Sequence, residues 1–300
     1  MPELPAANRS SRRFGLICGI IASTLWASVW VCVRYLVSVR GLDPIFTAAI
    51  RFGIGGAAAV LFMLATGRGR DLLAARSQLG PLAALGGIGI FGMGIFVFFS
   101  GRYTASINSS LIMNSNAIFI GVLAFMVGER VSWLRFVGLL TGLIGCAVIL
   151  LGQRGEATVG SNDLLGGALA LGGAVCWASY TVFGKRPVRK VGGIAGATVT
   201  LVVGAALLAI LAVVRHGVSP LDGPEIAVLC FLGIFPTAGA MLLWYRALDL
   251  IDASALGPTQ YIAPVFSTLL GWWLLHEPVG PAFLAGTAIV MVALHLSTKE

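Results

Sequence analysis

Aromatic side chains stand at matching places inside two apolar stretches of the sequence. Trp26 and Trp30 lie one helical turn apart on one face of the first stretch, and Trp177 and Tyr180 occupy the corresponding face of a stretch that begins near residue 164. In membrane helices Trp and Tyr favour the interface with water, so a position near mid-depth needs a reason. These groups form either an aromatic wall for a bound solute or a packing contact between helices, and the sequence leaves both open.

Amide and hydroxyl groups form a second set of candidates. Asn114 and Asn116 stand near the middle of the predicted fourth span, and Gln260 and Tyr261 stand at similar depth in the ninth. An amide both donates and accepts hydrogen bonds, which suits a zwitterion or a neutral polar solute. Such groups also join neighbouring membrane helices. Because two corresponding spans carry a polar cluster, we favour a solute cavity over a contact between helices.

Arg51 lies inside the predicted second span, about 10 Å from its outer end at 1.5 Å per residue. A guanidinium at this depth needs a partner or contact with water. It could bind the carboxylate of a solute, pair with a group near the outer end, for which Asp43 is the nearest candidate in sequence, or extend toward the interface. We favour a structural role.

All twelve Asp and Glu residues fall in tails, loops or span ends. Proton-driven carriers often use a carboxylate at mid-membrane as a relay, so this placement favours a facilitator or an exchanger. Glu129 and Glu277 close corresponding spans and are predicted to cap or orient their own hairpins. The five cysteines lie in apolar stretches without metal-ligand spacing. We therefore predict no disulfide, no metal site and no cofactor, and, for want of an acid–base cluster, no enzyme.

The elements that must position these groups are membrane helices. Hydrophobic residues make up 58% of the chain, charged residues 11%, and the mean hydropathy is +0.94, whereas a soluble domain carries about 25% charged residues. Apolar runs near the length of a bilayer span fill the chain. We predict ten spans, at residues 15–38, 44–66, 81–100, 105–127, 133–152, 164–184, 192–214, 224–245, 253–275 and 281–297.

Most of the 20 Lys and Arg residues fall in segments on the same side of the membrane as the N-terminus. This bias predicts that both termini are cytoplasmic, with the spans in the bacterial inner (plasma) membrane. The net charge of +8 then reflects topology and contact with membrane lipid, and no nucleic-acid partner is predicted.

The sequence also contains an internal repeat. Trp26-Ala27-Ser28 recurs as Trp177-Ala178-Ser179, and later matches keep the same order, including Glu129 with Glu277 and Gly138 with Gly286. Each half holds five predicted spans, an odd number, so the second half must lie inverted in the membrane. We therefore predict an all-α membrane protein with ten transmembrane helices in two inverted five-helix repeats. The repeats cover residues 14–152 and 164–297, with a linker at 153–163 and tails at 1–13 and 298–300.

Small residues mark one further helix contact. Gly138 and Gly142 form a small-xxx-small pair in the predicted fifth span, and Gly286 matches Gly138 in the tenth. Such spacing lets helices approach closely. Spans five and ten therefore pack on each other or form the face of a homodimer, and we favour the first.

These features resemble the drug/metabolite transporter superfamily, EamA type. That family carries a Trp-small-Ser motif in its first span, here Trp26-Ala27-Ser28, and an Arg followed by an aromatic residue in its second, here Arg51-Phe52. A Glu closes its fourth and ninth spans, here Glu129 and Glu277. The resemblance implies ten helices in two inverted halves and the export or exchange of small metabolites such as amino acids. No Arg-Phe pair stands in the seventh span, so the site is expected to be asymmetric.

The combined prediction is a carrier that exports or exchanges small organic metabolites, either amino acids or amphipathic drug-like compounds, by alternating access. An antiporter for nucleotide-sugars or phosphorylated sugars is an alternative, although it would need several cations at mid-depth. A membrane sensor or scaffold is a further alternative. The predicted substrate-binding residues are Trp26, Trp30, Arg51, Asn114, Asn116, Trp177, Tyr180, Gln260 and Tyr261.

Overall fold

The protein is helical throughout the described part of the chain. A computed structural model describes residues 9–103, 112–129, 131–152, 163–215, 219–275 and 280–298, and every regular element in these ranges is a helix. The α-helices are α1 (Arg9–Val33), α2 (Pro44–Ala65), α3 (Gly69–Ala74), α4 (Leu79–Leu85), α5 (Met93–Tyr103), α6 (Asn116–Met126), α7 (Trp133–Gly152), α8 (Asp163–Val191), α9 (Gly193–Val214), α10 (Gly223–Leu232), α11 (Ala240–Leu250), α12 (Ala253–Leu256), α13 (Ile262–Leu275) and α14 (Pro281–Thr298). They are extended or joined by π-helical turns at Arg34–Val39, Gly86–Gly92 and Gly233–Gly239 and by 3-10 turns at Ala75–Gln78 and Gly257–Tyr261.

Six helical stretches in the described ranges are long and apolar enough to cross a membrane. They cover predicted spans one, two, three, six, seven and eight, at Ser10–Val37, Pro44–Ala65, Gly69–Val97, Leu164–Val191, Gly193–Val214 and Gly223–Leu250. Shorter apolar helices cover predicted spans four, five and ten, at Ile112–Met126, Trp133–Ile149 and Pro281–Ser297. The predicted all-α membrane class is thus confirmed, and the count of ten transmembrane helices remains a prediction.

The predicted ninth span departs furthest from one regular helix. It consists of the four-residue α12, the 3-10 turn Gly257–Tyr261 and α13. Pro258 has no backbone N–H, and in a regular α-helix its ring would clash with the carbonyl group four residues earlier. The chain instead forms the tighter 3-10 turn here. As a result Gln260 and Tyr261 lie on different sides of the ninth span, with Gln260 at the cavity described below and Tyr261 against Leu139.

Local sequence explains where two of the helices begin. At the start of α2 the Asp43 carboxylate accepts a hydrogen bond of 2.8 Å from the backbone N–H of Phe46, and Pro44 occupies the first turn. Between α8 and α9, Gly192 has a φ of 87°, which other residues rarely adopt. The chain reverses its direction at this one residue, so α8 and α9 are neighbours in space.

The helices form two bundles. The first bundle contains α1, α2 and α10–α13, and the second contains α3–α6, α8 and α9. In the first bundle α1 packs on α11 and α13, and α2 packs on the turn Gly233–Gly239. In the second bundle α8 packs on α5 and α6, and α9 packs on the turn Gly86–Gly92. The two bundles meet mainly where α2 lies against α9.

The most extensive helix pairing lies outside both bundles, between α7 and α14. A Cβ atom built on Gly286 would come within 2.7 Å of the Gly145 carbonyl oxygen and 2.9 Å of the Ile149 nitrogen. A Cβ atom on Gly138 would come within 2.9 Å of the Ala293 carbonyl oxygen. The two backbones therefore touch, as small-residue spacing allows. The preference for packing between predicted spans five and ten is confirmed, while the homodimer remains a prediction.

Gly286→Ala is expected to destabilise the protein by about 1–3 kcal/mol, because its methyl group must displace backbone atoms of α7. The thermal unfolding midpoint of the detergent-purified protein measures this effect. Gly53→Ala is the matched control, since a Cβ there meets no atom within 4 Å and alanine favours the helix. Equal midpoints for Gly286→Ala and the wild type would contradict the close contact.

Candidate functional site

A cavity of about 1160 Å³, including its mouth, lies between the two bundles. Its wall is mostly apolar and aromatic with a few polar groups, as is usual where proteins bind small molecules. The polar groups are Arg51, Thr237, Gln260 and Ser267 from the first bundle and Asn114 and Asn116 from the second. Each bundle therefore contributes polar atoms to the same space.

The structure brings six of the nine predicted binding residues to this cavity: Trp26, Arg51, Asn114, Asn116, Trp177 and Gln260. Tyr180 and Tyr261 are not part of the described wall. The side chain of Trp30 lies outside the described residues. A role in binding substrate stays a prediction for all nine, but six of them share one space.

Tyr180 and Tyr261 have packing contacts of their own. The Tyr180 hydroxyl lies 2.8 Å from Thr200 Oγ1, and its ring meets Tyr245 edge-on at 5.2 Å. The Tyr261 hydroxyl donates a hydrogen bond of 2.7 Å to the Leu139 carbonyl oxygen. Both side chains are fully buried. In the geometry observed, these phenols join helices, and they do not face the cavity.

Three tryptophans from both bundles meet at one end of the cavity. Trp26 and Trp177 are in edge-to-face contact with their ring centroids 5.1 Å apart. Trp244 lies 5.1 Å from Trp26 and 6.1 Å from Trp177. Such ring pairs add to the stability gained from their buried area. Trp26 and Trp177 line the cavity, and Trp244 is fully buried against both of them. We call these three rings the tryptophan floor.

The tryptophan floor orients the side-chain amide of Gln260. Trp177 Nε1 donates a hydrogen bond of 3.0 Å to Gln260 Oε1 across the bundle interface. An indole N–H can only donate, so the amide oxygen must face it and Gln260 Nε2 must point elsewhere. Gln260 is 8% exposed, and its Nε2 has no hydrogen-bond partner in the described structure. One residue of the cavity wall therefore holds a buried donor without an acceptor.

Asn116 supplies the opposite polarity. Its Nδ2 donates a hydrogen bond of 2.8 Å to the Met113 carbonyl oxygen, which can only accept. Its Oδ1 must therefore point the other way, and this atom has no partner in the described structure. Asn116 is 6% exposed. A second residue of the cavity wall, in the other bundle, thus holds a buried acceptor without a donor.

Arg51 is held by a neighbouring helix of its own bundle. Its Nε donates a hydrogen bond of 2.8 Å to Thr237 Oγ1, and its guanidinium lies 4.8 Å from the centre of the Phe52 ring. Within the described residues no carboxylate lies within 4.0 Å of this guanidinium. Asp43 caps α2 and is not its partner. A positive charge without a paired carboxylate therefore borders the cavity.

Glu129 departs from its predicted role at its own hairpin. Its carboxylate accepts hydrogen bonds of 3.4 Å and 3.2 Å from the backbone N–H groups of Ala253 and Ser254, which begin α12 in the other bundle. It also accepts a hydrogen bond of 2.7 Å from Lys185 Nζ. Glu277 lies outside the described residues. The acidic group at the end of the fourth predicted span thus contacts the opposite bundle.

Sequence reasoning missed Trp244, Thr237 and the contacts of Lys185. Trp244 carries the same signal as Trp26, an aromatic residue deep inside an apolar run. Thr237 follows Pro236, where the π-helical turn Gly233–Gly239 interrupts the regular helix. Lys185 pairs with residues 56 and 67 positions away, a separation that a local pattern does not reveal.

Comparison with known proteins identifies the family. The model of the EamA-like transporter family matches residues 13–151 and 164–299. The chain belongs to this family. The resemblance noted in the sequence is confirmed.

Several relatives of this EamA-like transporter are similar over nearly their whole length. The aromatic amino acid exporter YddG of Ancylobacter novellus is 32% identical over 266 residues, which cover 87% of this chain and 88% of that protein. An uncharacterized transporter of Archaeoglobus fulgidus is 27% identical over 283 residues, covering 92% and 96%. One crystal structure superposes with a TM-score of 0.83 at 26% identity, covering 97% of both chains.

Thr237→Val tests how Arg51 is held in this EamA-like transporter. The substitution keeps the shape of the side chain but removes the acceptor of the Arg51 Nε hydrogen bond. We expect a loss of about 1–3 kcal/mol in the free energy of unfolding, because a half-buried charged donor loses its partner. Denaturant unfolding in detergent measures it, with the exposed Thr66→Val as control. A change no larger than that of the control would show that the hydrogen bond to Thr237 contributes little to the free energy of unfolding.

Proposed function

We propose that the protein exports or exchanges small organic metabolites, namely amino acids or amphipathic drug-like compounds, and binds them in the cavity between the two bundles. The observation that carries this proposal is the pair of buried amide atoms without partners, Gln260 Nε2 and Asn116 Oδ1. They have opposite polarity and belong to opposite bundles. A ligand that bonds to both would remove two unfavourable burials.

The polar groups of the cavity match the two ends of an amino acid. Arg51 and Gln260 Nε2 both donate, so they suit a carboxylate. Asn116 Oδ1 accepts, so it suits an ammonium group. The tryptophan floor offers flat apolar surface to a side chain. The similarity to an aromatic amino acid exporter supports this class of substrate.

The bundle architecture supports alternating access with two inverted five-helix repeats. Contacts in one bundle have counterparts in the other. Helix α1 packs on α11 as α8 packs on α5, and α2 packs on the turn Gly233–Gly239 as α9 packs on Gly86–Gly92. This reciprocity fits a pseudo-two-fold axis between the halves, around which two bundles can rock about a central site. We retain ten transmembrane helices as part of the proposal.

The orientation proposed from the charge pattern places both termini in the cytoplasm of a bacterial cell, with the spans in the inner membrane. In the structure α8 ends in the exposed residues Arg189 and Lys190. The same end holds Lys185 and Asp252. Lys and Arg near helix ends concentrate on the cytoplasmic side of membranes. The tryptophan floor then faces the cytoplasm, and the cavity lies on its outer side.

An antiporter for nucleotide-sugars or phosphorylated sugars is the less favoured alternative. A phosphate group calls for several cations or backbone donors. Of the described lining residues, Arg51 carries the only positive charge. The cavity is therefore better suited to a group with one negative charge.

The proposed function is tested by efflux from proteoliposomes loaded with radiolabelled tryptophan or phenylalanine. We expect efflux above that of empty liposomes, and a reduction of at least about tenfold in Gln260→Leu, since a hydrogen bond to a charged group contributes about 1.5–3 kcal/mol. Gln78→Leu is the matched control, because Gln78 lies outside the cavity wall. Efflux of nucleotide-sugars without efflux of amino acids would favour the antiporter. Equal efflux from both variants would remove Gln260 from the binding site.

A further inference from the structure

We propose that Lys185, Glu129 and Asp252, here called the Lys185 network, form the gate that closes the transporter on the side of the tryptophan floor. The proposal rests on the alternating access proposed above and names the residues that decide which end of the cavity is shut.

The Lys185 network joins the two bundles through one ammonium group. Lys185 Nζ donates hydrogen bonds to Glu129 Oε1 at 2.7 Å and to Asp252 Oδ1. Lys185 lies in α8 and Glu129 follows α6, so their ion pair lies within the second bundle. Asp252 precedes α12 and belongs to the first. Lys185–Asp252 is therefore an ion pair between the bundles, whereas Lys185–Glu129 can persist when they separate.

Glu129 makes a second link across the same interface. Its two oxygens accept from the N–H groups of Ala253 and Ser254, at the start of α12. These N–H groups lie in the first turn of α12, where backbone N–H groups have no partner within the helix. One carboxylate therefore binds a cation of its own bundle and two backbone N–H groups of the other. The side chains of Lys185 and Glu129 are only 9% and 10% exposed, so water screens the contacts between them little. The Asp252 side chain is 41% exposed, so water screens its ion pair with Lys185 more.

The Lys185 network lies behind the tryptophan floor. Lys185 stands eight residues beyond Trp177 in α8, or about 12 Å along the helix. Between the two levels, Tyr180 of the second bundle meets Tyr245 of the first. Three successive layers of contact, the tryptophan floor, the tyrosine pair and the Lys185 network, thus hold the bundles together at this end.

The ion pairs at the opposite end are arranged differently. Arg40 follows α1 and binds Asp222 and Glu225 near the start of α10, at 2.8 Å and 2.6 Å. All three residues belong to the first bundle. Among the ion pairs formed between described residues, the one that joins the bundles, Lys185–Asp252, lies at the Lys185 end. This asymmetry is what a carrier closed at one end requires.

The charges of the Lys185 network predict a graded response to substitution. One ammonium group lies between two carboxylates, so Lys185→Met leaves two negative charges facing each other across the bundle interface. Asp252→Asn removes the ion pair between the bundles but leaves Lys185–Glu129 intact. Both variants should favour the state open at this end, and Lys185→Met should favour it more.

Spin labels at Phe14 and Lys190 provide the measurement. Both side chains are exposed, and Phe14 precedes Gly15, whose position lies against Ile251 at the Lys185 end. The labels therefore report the distance between the first and second bundles at this end. They are attached through cysteines in the full chain, after replacement of its five native cysteines, and read by double electron–electron resonance in lipid nanodiscs.

We expect the population at the longer distance to rise at least fivefold in Lys185→Met and by a smaller factor in Asp252→Asn. Arg246→Gln is the matched control, because it removes one positive charge at the same end while Asp249, the partner of Arg246 inside α11, keeps the hydrogen bond that it accepts from the Gly193 N–H of the second bundle. Unchanged distances in both gate variants, or an equal change in Arg246→Gln, would overturn the gate. If Lys185→Met does not fold, the gate is still tested by comparing the population at the longer distance in Asp252→Asn with that in Arg246→Gln.

The distance measurement needs no substrate, so it separates this proposal from the proposed function. Longer distances in the gate variants with no efflux of any solute from wild-type proteoliposomes would retain the gate and reject the proposed substrate class. Efflux of amino acids with unchanged distances would retain the transporter and reject the gate.

Discussion

The hydrogen bond from Trp177 to Gln260 has two consequences for the structure. It links the second bundle to the first at the base of the cavity, and it determines which atom of the Gln260 amide remains available. In a low-dielectric interior, every polar atom without a partner is costly, so the orientation of one amide determines what the cavity can accept. The same logic applies to Asn116, whose Nδ2 is held by the Met113 carbonyl oxygen. The polarity of the site follows from partners that can only donate or only accept.

Glycine lets the helices that carry this site approach each other. Gly86 leaves room for Thr200 of α9, and Gly233 leaves room for Ile54 of α2, so two of the three π-helical turns, Gly86–Gly92 and Gly233–Gly239, lie directly against a neighbouring helix. A π-helical turn is rare and is often found at functional sites, because it is maintained only where surrounding contacts compensate for it. Here both such turns belong to elements that line the cavity. The helices are therefore closely packed where they cross and leave a cavity between the bundles.

Much of the fold and part of the site could be predicted from the sequence, because both depend on how the hydropathy of a residue differs from that of its neighbours in sequence. Apolar runs indicate membrane helices directly, and a polar group inside such a run stands out, as Arg51, Asn116 and Gln260 did. Tyr180 stands out equally in the sequence, but its hydroxyl packs on Thr200. A difference in hydropathy does not reveal which group a side chain faces. The helical bounds near Pro258 depend on a 3-10 turn that hydropathy does not indicate.

Long-range pairs could not be predicted for a different reason. Lys185 was visible as a cation near the end of an apolar run, but its partners come from two other elements. Which carboxylate it meets depends on how the bundles pack, and many packings are compatible with one hydropathy profile. Trp244 likewise joins the tryptophan floor only because α11 lies between α1 and α8. Such contacts become visible only when the helices have been assembled.

The tryptophan floor also gives the protein an optical property. Trp26 and Trp244 belong to one bundle and Trp177 to the other, and their ring centroids lie between 5.1 Å and 6.1 Å apart. Indole rings at such separations share their electronic excitation, and the strength of that coupling falls steeply with distance. Any motion that parts the bundles therefore alters the near-ultraviolet circular dichroism and the fluorescence of the unlabelled chain. The residues that close the cavity thus also report, as a built-in chromophore, whether it is closed.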